Sequence, residues 1–359
     1  MNGRKDLGYG LFGVIAAALT AGIWYACRAS ETLSMALRTA ALFLREELAR
    51  LCGLCPLPVS ELLMLAALLG VVLLFVLCCL RRGWRGLMGV LTRLLAAGGV
   101  LALLFMLLYG VQYSAPPLEE SLRMEVGQYT LRELYGAAES VTREMNRLGE
   151  SAPRSAEGEC SFGSFEEQAE AVREAYAALA GRYTVYRRAE KSPPPRRAAI
   201  LSKPMSYVGI SGYFFPWSGE AVVSGDSVAT HYPFYIAHEA AHALGVGPED
   251  EANFSAFLAC MSSEEDSLRY SGLINAYVYL SNALYEQDVA LAREISAMVS
   301  ETCRADLRRL NEHYERYETP VREAGQKIND AYIKATGQPD GVQSYGKVAD
   351  FIIAWYMAR

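Results

Sequence analysis

The chain has 359 residues, of which 52% are hydrophobic, and a formal net charge of −6. This acidic balance, without a basic and aromatic patch or a Gly-rich phosphate loop, argues against nucleic acid as a partner. The hydrophobic fraction is too high for an ordinary soluble protein of this length, and the excess lies near the N-terminus.

Three apolar stretches near the N-terminus are each long enough to cross about 30 Å of hydrocarbon. They cover residues 7–27, 62–80 and 87–111. The first stretch could instead be a cleaved signal peptide, but no clear cleavage site follows it and two further stretches do. We therefore expect residues 1–111 to form a membrane anchor of three transmembrane helices, with the lipid bilayer as a partner.

Basic residues predict the orientation of this anchor. They precede the first apolar stretch and separate the second from the third, two sites that fall on one side of a three-span protein. Because cytoplasmic loops carry an excess of Lys and Arg, these sites are expected in the cytoplasm. Residues 112–359 would then form an extracytoplasmic domain. The basic residues are Arg4, Lys5, Arg81, Arg82 and Arg85.

The remainder of the chain reads as mainly helical with a few short strands. Apolar residues recur at helical spacing in most of it, whereas three short apolar runs bounded by Gly and Pro indicate strands. A strand before the helix described next could form the edge of a substrate cleft or simply a buried hairpin. The predicted helices are 118–150, 164–181, 267–284, 288–301, 303–318, 320–336 and 347–356, and the strands are 198–201, 207–210 and 220–223.

An HExxH motif carries the chemistry of the chain, from His238 to His242. Histidines four residues apart lie on one face of a helix, so both imidazoles can bind one Zn²⁺. Glu239 between them can take a proton from a water at the metal. Pro233 suits a first helical position, which predicts that the motif occupies the first two turns.

A third ligand is expected from the acidic run that begins the next helix. We favour Glu249 and keep Glu251 as the alternative. The two residues lie about 200° apart around the helix, so they cannot easily both bind the same ion. Asn253 shares the face of Glu249 and could hold a ligand histidine through its second ring nitrogen. The acids could instead only complement the helix dipole.

These motifs resemble known families. The Glu-x-x-Ala-Asn of residues 249–253 is similar to the Glu-x-x-Ala-Asp of gluzincins, among them membrane-bound CAAX-processing and heat-shock endopeptidases. A closer resemblance is to DUF3810, a family of bacterial membrane proteins. It implies a zinc peptidase in a bacterial cell membrane and supplies no substrate. The sequence segments that carry the resemblance to DUF3810 are residues 109–113, 116–117, 212–216, 238–245, 249–254, 269–272 and 337–341.

The predicted fold is therefore mainly α, with three N-terminal transmembrane helices followed by a mostly helical zincin-like domain that contains a small β-sheet. The predicted activity is zinc-dependent hydrolysis of a peptide or protein substrate, with Glu239 moving protons. Tyr345 is a candidate donor to the oxyanion or, alternatively, a core tyrosine. His231 and His313 could also donate, although surface or capping positions are expected for both.

A non-enzymatic alternative also fits the motif. In a membrane sensor or scaffold, a structural zinc ion would hold the two helices together and would need a fourth ligand, usually Cys or His. Cys260 is the nearest candidate, eleven residues after Glu249 on the same helix. It would lie about 16 Å along the axis from Glu249, and Glu239 would have no role.

Overall fold

The computed structural model describes residues 2–81, 83–336 and 345–359, and it leaves out the side chains of 2–6, 78–81, 83–88, 345 and 346. The chain divides into two compact units. The first unit contains Met1–Ala115 and Phe215–Glu220, and the second contains Pro116–Phe214 and Ala221–Arg359.

In its described residues the first unit contains four α-helices, three of which are apolar and long enough to cross a membrane. The candidate spans are Leu7–Ala29, Val59–Leu77 and Gly89–Leu108, which confirms three apolar N-terminal helices. The third ends before the predicted residue 111 because the chain enters a 3-10 turn at Gly110–Ser114. The helices are α1 (Asn2–Ala29), α2 (Glu31–Cys52), α3 (Val59–Arg81) and α4 (Gly83–Leu108).

Glycines let α1 and α4 approach closely. A Cβ at Gly99 would lie 2.6 Å from the carbonyl oxygen of Gly13, which no side chain tolerates. Small residues at such crossings favour packing between membrane helices. Within the same unit, the Glu220 carboxylate accepts hydrogen bonds from the backbone N–H groups of Val59 (3.0 Å) and Ser60 (2.7 Å), so an acid caps the positive end of α3.

The second unit is mainly helical around a large hydrophobic core, and Ala198, Met205 and Val222 form a small separate cluster. Capping boxes begin two of its helices, Thr130 with Glu133 and Ser164 with Glu167, and satisfy N–H groups that lack helical partners. Its helices are α5 (Leu118–Leu122), α6 (Leu131–Ser151), α7 (Phe165–Ala180), α8 (Ser202–Val208), α9 (Tyr232–Ala243), α10 (Glu249–Ser262), α11 (Asp266–Gln287), α12 (Val289–Met298), α13 (Glu301–Glu315), α14 (Pro320–Ala335) and α15 (Tyr345–Met357), with 3-10 turns at Thr184–Tyr186 and Ala229–His231.

Most predicted helices of this unit are confirmed within a few residues, and one is wrong. A single helix over 118–150 does not form, because Arg123 ends α5 in the left-handed conformation and Thr130 starts α6 anew. The predicted helix at 347–356 begins two residues earlier, at Tyr345. Residues 337–341, which carry part of the family resemblance, lie outside the described residues.

A three-stranded sheet completes the fold, in the order β1-β3-β2. Its strands are β1 (Arg196–Arg197), β2 (Gly212–Phe215) and β3 (Glu220–Val223), with β1 parallel to β3. The strand expected at 220–223 is confirmed. Those expected at 198–201 and 207–210 are wrong. Residues 198–201 follow β1 as an irregular bend, and residues 207–208 are the last of α8, which ends at Gly209, whose φ of 75° is easy only for glycine.

Candidate metal centre

The HExxH motif lies on α9, which begins at Tyr232 with Pro233 in its first turn. The prediction that the motif occupies the first two turns is wrong. The helix starts directly after a 3-10 turn, so six residues precede His238 and the motif fills the second half of the helix. His238 and His242 are one turn apart as expected, with ring centroids 4.7 Å from each other.

The turn after α9 brings the next helix back to the histidines. Gly245 has a φ of 100°, a conformation that favours glycine, and the N–H of Val246 donates to the carbonyl of Ala241 at 3.0 Å. Pro248 then forms the N-cap of α10, whose first residue is Glu249. The short connection places the Glu249 carboxylate against the motif.

His238, His242 and Glu249 form one cluster whose possible ligand atoms all lie within 4.8 Å of one another. The Nε2 atoms of His238 and His242 lie 3.2 and 3.5 Å from the two carboxylate oxygens of Glu249. The Nδ1 atom of His242 lies 2.8 Å from the carbonyl oxygen of Val246. A proton on Nδ1 leaves Nε2 with its lone pair, the arrangement that a histidine needs to bind a metal.

The charges of the cluster are those of an ion pair between the histidines and Glu249, in which a metal cation could take the place of the positive charge. Burial alone would lower the pKa of His242, but the attraction and hydrogen bond of Glu249 outweigh it and raise this pKa to about 9. Burial would likewise raise the pKa of Glu249, yet both histidines hold it well below its usual range. Two nitrogens and one carboxylate are a donor set typical of catalytic Zn²⁺.

Glu239 is buried beside this cluster and is not one of its three members. Burial raises its pKa to about 7, against the attraction of His238 and His242. Its Oε2 atom has no hydrogen-bond partner among the described residues. A buried carboxylate oxygen without a hydrogen-bond partner costs free energy. The Oε2 atom is therefore suited to accept a hydrogen bond from a water bound at the metal.

Gly212 is a site residue that the sequence analysis missed. A Cβ at this position would lie 2.5 Å from the Oε1 atom of Glu239, so β2 passes directly over the proposed base. A glycine in a strand often marks such a close approach. The signal that could have identified it is the glycine that begins the short run Gly212–Phe215.

A cavity of about 660 Å³ lies against the cluster and has His238, Glu249 and Asn253 on its wall. His231 and His313 also line it. The expectation of surface or capping roles is wrong, because both side chains are buried, with exposures of 2% and 7%. His231 does precede α9, but its side chain makes no capping hydrogen bond.

Two tyrosines on the cavity wall were also missed. Tyr235 lies one turn before His238 on α9, and its hydroxyl is hydrogen-bonded to that of Tyr314 on α13. These positions are 79 residues apart, so no local pattern pairs them. The side chain of the predicted donor, Tyr345, lies outside the described residues.

The remaining predicted residues have other surroundings. Glu251 is not in the cluster, since its carboxylate accepts a hydrogen bond from the N–H of Leu118 at 3.0 Å. Asn253 makes no hydrogen bond to either histidine within the described part of the chain; the Val246 carbonyl has that place at His242. Cys260 is fully buried, and over the described ranges no fourth metal-binding side chain joins the cluster.

A family model described as "Protein of unknown function (DUF3810)" matches residues 41–353. The chain belongs to the DUF3810 family. This confirms the resemblance found in the sequence, and the match includes the HExxH helix, Glu249 and most of the cavity wall. No curated protein and no solved structure matches this DUF3810 protein. The gluzincin-like activity therefore stays a prediction.

Proposed function

We propose that this DUF3810 protein is a membrane-anchored zinc-dependent peptidase. The observation that supports it best is the buried Glu239, whose Oε2 atom has no hydrogen-bond partner among the described residues and which lies beside a cluster of three metal-binding side chains. A purely structural ion would need no such acid. The adjoining cavity offers room for a substrate within the range of about 300–1,000 Å³ common for ligand sites.

The residues suit hydrolysis in distinct roles. His238, His242 and Glu249 would hold Zn²⁺, which supplies a polarised water and a Lewis acid for the scissile carbonyl. Glu239 takes the proton of the attacking water and passes it to the leaving amine. The Val246 carbonyl keeps His242 in one orientation. The hydroxyl groups of Tyr235 and Tyr314 lie on the cavity wall and can donate hydrogen bonds to the developing oxyanion.

The proposed location follows from the apolar helices and the basic residues. Three candidate spans agree with a multi-pass membrane protein. The positive-inside rule applied to Arg4, Lys5 and the basic residues at 81–85 favours a cytoplasmic N-terminus in a bacterial cell membrane. The peptidase unit would then lie outside the cytoplasm, where its peptide or protein substrate must be found.

The structural-zinc alternative receives less support. A closed site needs four protein ligands, and the described residues offer three in this cluster. Cys260, the candidate fourth ligand, is packed in the core, where a Cβ added to Gly272 would lie 2.7 Å from its Cβ. Such a site would also leave Glu239 buried without a role.

Glu239→Gln separates the two functions. The change keeps the shape of the side chain and removes the base, so zinc should remain bound while peptide hydrolysis falls by about 10²-fold or more. Zinc per purified chain and cleavage of a quenched fluorescent peptide library are measured together. Wild-type rates in the zinc-loaded variant would contradict the peptidase function, and loss of zinc would contradict the division of roles.

The ligand set has a matched test on one helix. Glu249→Gln should strip zinc as His238→Ala and His242→Ala do, because each removes one of three ligands. Glu251→Gln, two residues away, should leave zinc content unchanged because that carboxylate faces Leu118. The reverse pattern would move the third ligand to Glu251.

A further inference from the structure

The wall of the cavity carries one Lys or Arg side chain among the described residues, Arg322. It lies in the first turn of α14, the end of a helix that attracts anions. In the described part of the chain it forms no ion pair. The acidic wall residues are engaged differently: Glu249 with the histidines, and Asp226 with Tyr317 (2.5 Å) and Ser206 (2.7 Å).

Neutral contacts fix Arg322 in place. Its Nη1 atom donates to the carbonyl oxygen of Tyr314 at 2.8 Å, and its guanidinium lies 5.0 Å from the centre of that tyrosine ring. It packs against the end of α8, since a Cβ at Gly209 would lie 3.4 Å from its Cγ, an ordinary contact distance. These neutral groups hold the guanidinium in place without forming an ion pair with it. It can therefore still donate two parallel hydrogen bonds to a carboxylate.

A continuous wall joins this arginine to the metal cluster. Tyr314, under the guanidinium, is hydrogen-bonded through its hydroxyl to Tyr235, which lies one turn before His238. All four side chains face the same cavity. A ligand with its scissile bond at the cluster can therefore extend past the tyrosines toward Arg322.

The rest of the wall suits a peptide backbone. Amide side chains line it and can both donate to and accept from peptide groups. They come from three different helices and add no net charge. The cavity volume of about 660 Å³ fits a short segment better than a folded chain. The amides are Asn253, Asn275, Asn282, Gln326 and Asn329.

We propose that the cavity selects peptides with a carboxylate group, which Arg322 binds while the peptide bond to be cut lies at the His238 cluster. The carboxylate is either the C-terminus of the peptide or an acidic side chain close to the cut. This inference rests on the proposed peptidase function for the nature of the ligand, but the binding step itself can be measured without hydrolysis.

The test uses the full chain in detergent micelles, loaded with zinc and carrying Glu239→Gln to prevent turnover. Fluorescence anisotropy gives the Kd of three labelled pentapeptides: neutral side chains with a free C-terminus, the same peptide amidated, and an amidated peptide with one Glu. Binding of a carboxylate-bearing peptide should weaken about tenfold to hundredfold in Arg322→Gln. The fully neutral, amidated peptide should bind weakly and equally to both chains.

Arg322→Lys keeps the charge and should retain part of the affinity, which separates carboxylate binding from a folding defect. Arg316→Gln is the matched control, because this exposed arginine nearby is not on the cavity wall. Equal binding of free and amidated peptides, unchanged affinity in Arg322→Gln, or no peptide binding would overturn the inference. Selective binding by a chain whose zinc-loaded wild type cuts nothing would uphold it while contradicting the peptidase function.

Discussion

Two buried polar clusters of the second unit, one around Asp306 and one around Glu239, differ in how completely their carboxylates are satisfied by hydrogen bonds. Around Asp306, Arg154 donates to both oxygens at 3.0 and 2.8 Å, and the Tyr270 hydroxyl donates at 2.8 Å. Arg309 adds a further bond at 3.2 Å. Around Glu239, one buried carboxylate oxygen has no partner among the described residues.

The difference separates a cluster that stabilises the fold from one that is prepared to bind something else. A fully bonded buried carboxylate has no capacity left for a ligand, and it holds together the helices that contribute its partners. A buried carboxylate with an unfilled oxygen costs stability in the free protein and gains a partner only on binding.

The largest expected effect is on stability at the saturated cluster. Asp306→Ala leaves the largely buried guanidinium of Arg154 without its partner, so the free energy of unfolding should fall by about 3–5 kcal/mol. Zinc per folded chain should not change. Denaturant unfolding of the full chain in micelles, followed by tyrosine fluorescence, measures the first quantity.

The control for this change is an exposed ion pair of the same unit. Glu139 lies 2.7 Å from Arg143 on the surface of α6, and Glu139→Ala should cost less than about 1 kcal/mol. A similarly small loss of stability in Asp306→Ala would show that the Asp306 cluster does not stabilise the fold.

The second prediction concerns the close approach to Glu239. In Gly212→Ala the new Cβ meets Oε1 and Cγ of Glu239 at 2.5 and 2.6 Å, so the acid must move. We expect a loss of about 1–3 kcal/mol in stability and slower hydrolysis with zinc still bound. Gly136→Ala is the control, because nothing lies within 4 Å of its Cβ and alanine favours the helix. Normal turnover in Gly212→Ala would contradict the assigned position of Glu239.

The third prediction is a pH dependence. Burial lowers the pKa of His231 to about 3, although Asp306 favours the charged form; His313 opposes it, and the ring faces Tyr235. A histidine that is neutral in the fold contributes stability above its unfolded pKa of about 6.5 and loses it as the pH falls toward 3. At pH 5.5, one unit below, the loss is about 1.4 kcal/mol.

This effect is read from the difference between wild type and His231→Gln in unfolding curves at pH 7.5 and 5.5. Groups shared by the two chains, including His238 and His242, cancel to first order. The wild type should lose the additional stability on acidification. Parallel pH profiles for the two chains would show that His231 is not held neutral.

The sequence revealed what local spacing encodes. His238, Glu239, His242 and Glu249 lie within twelve residues on two consecutive helices, so helical geometry and the short turn at Gly245 bring them together. The apolar spans were equally local. The Asp306 cluster could not be predicted, because Arg154 is 152 residues away and only tertiary packing pairs them.

Two further expectations differ from the described structure, each for a physical reason. Residues 207–208 are apolar, as in a strand, but they form the end of α8. The helix is favoured because Gly209 provides its C-cap and because Met205 packs against Val222 in a small core. Helical spacing also suggested that Asn253 supports a ligand histidine. It could not show that the turn before α10 folds a backbone carbonyl, that of Val246, onto His242 first.

Asn253→Ala therefore has the smallest expected effect. Its amide lies on the cavity wall and bonds to neither ligand histidine within the described residues, so zinc affinity should change by no more than about twofold. Competition with a fluorescent zinc chelator measures this, with Glu249→Gln as the reference for a lost ligand. The contrary result is informative, because the Nδ1 atom of His238 is buried and has no hydrogen-bond partner in the described structure. A 10–100-fold loss of affinity would mean that Asn253 supports His238 when zinc is bound. Asn253 would then be a partner of the His238 cluster, although it makes no hydrogen bond to the histidines in the metal-free geometry of the described residues.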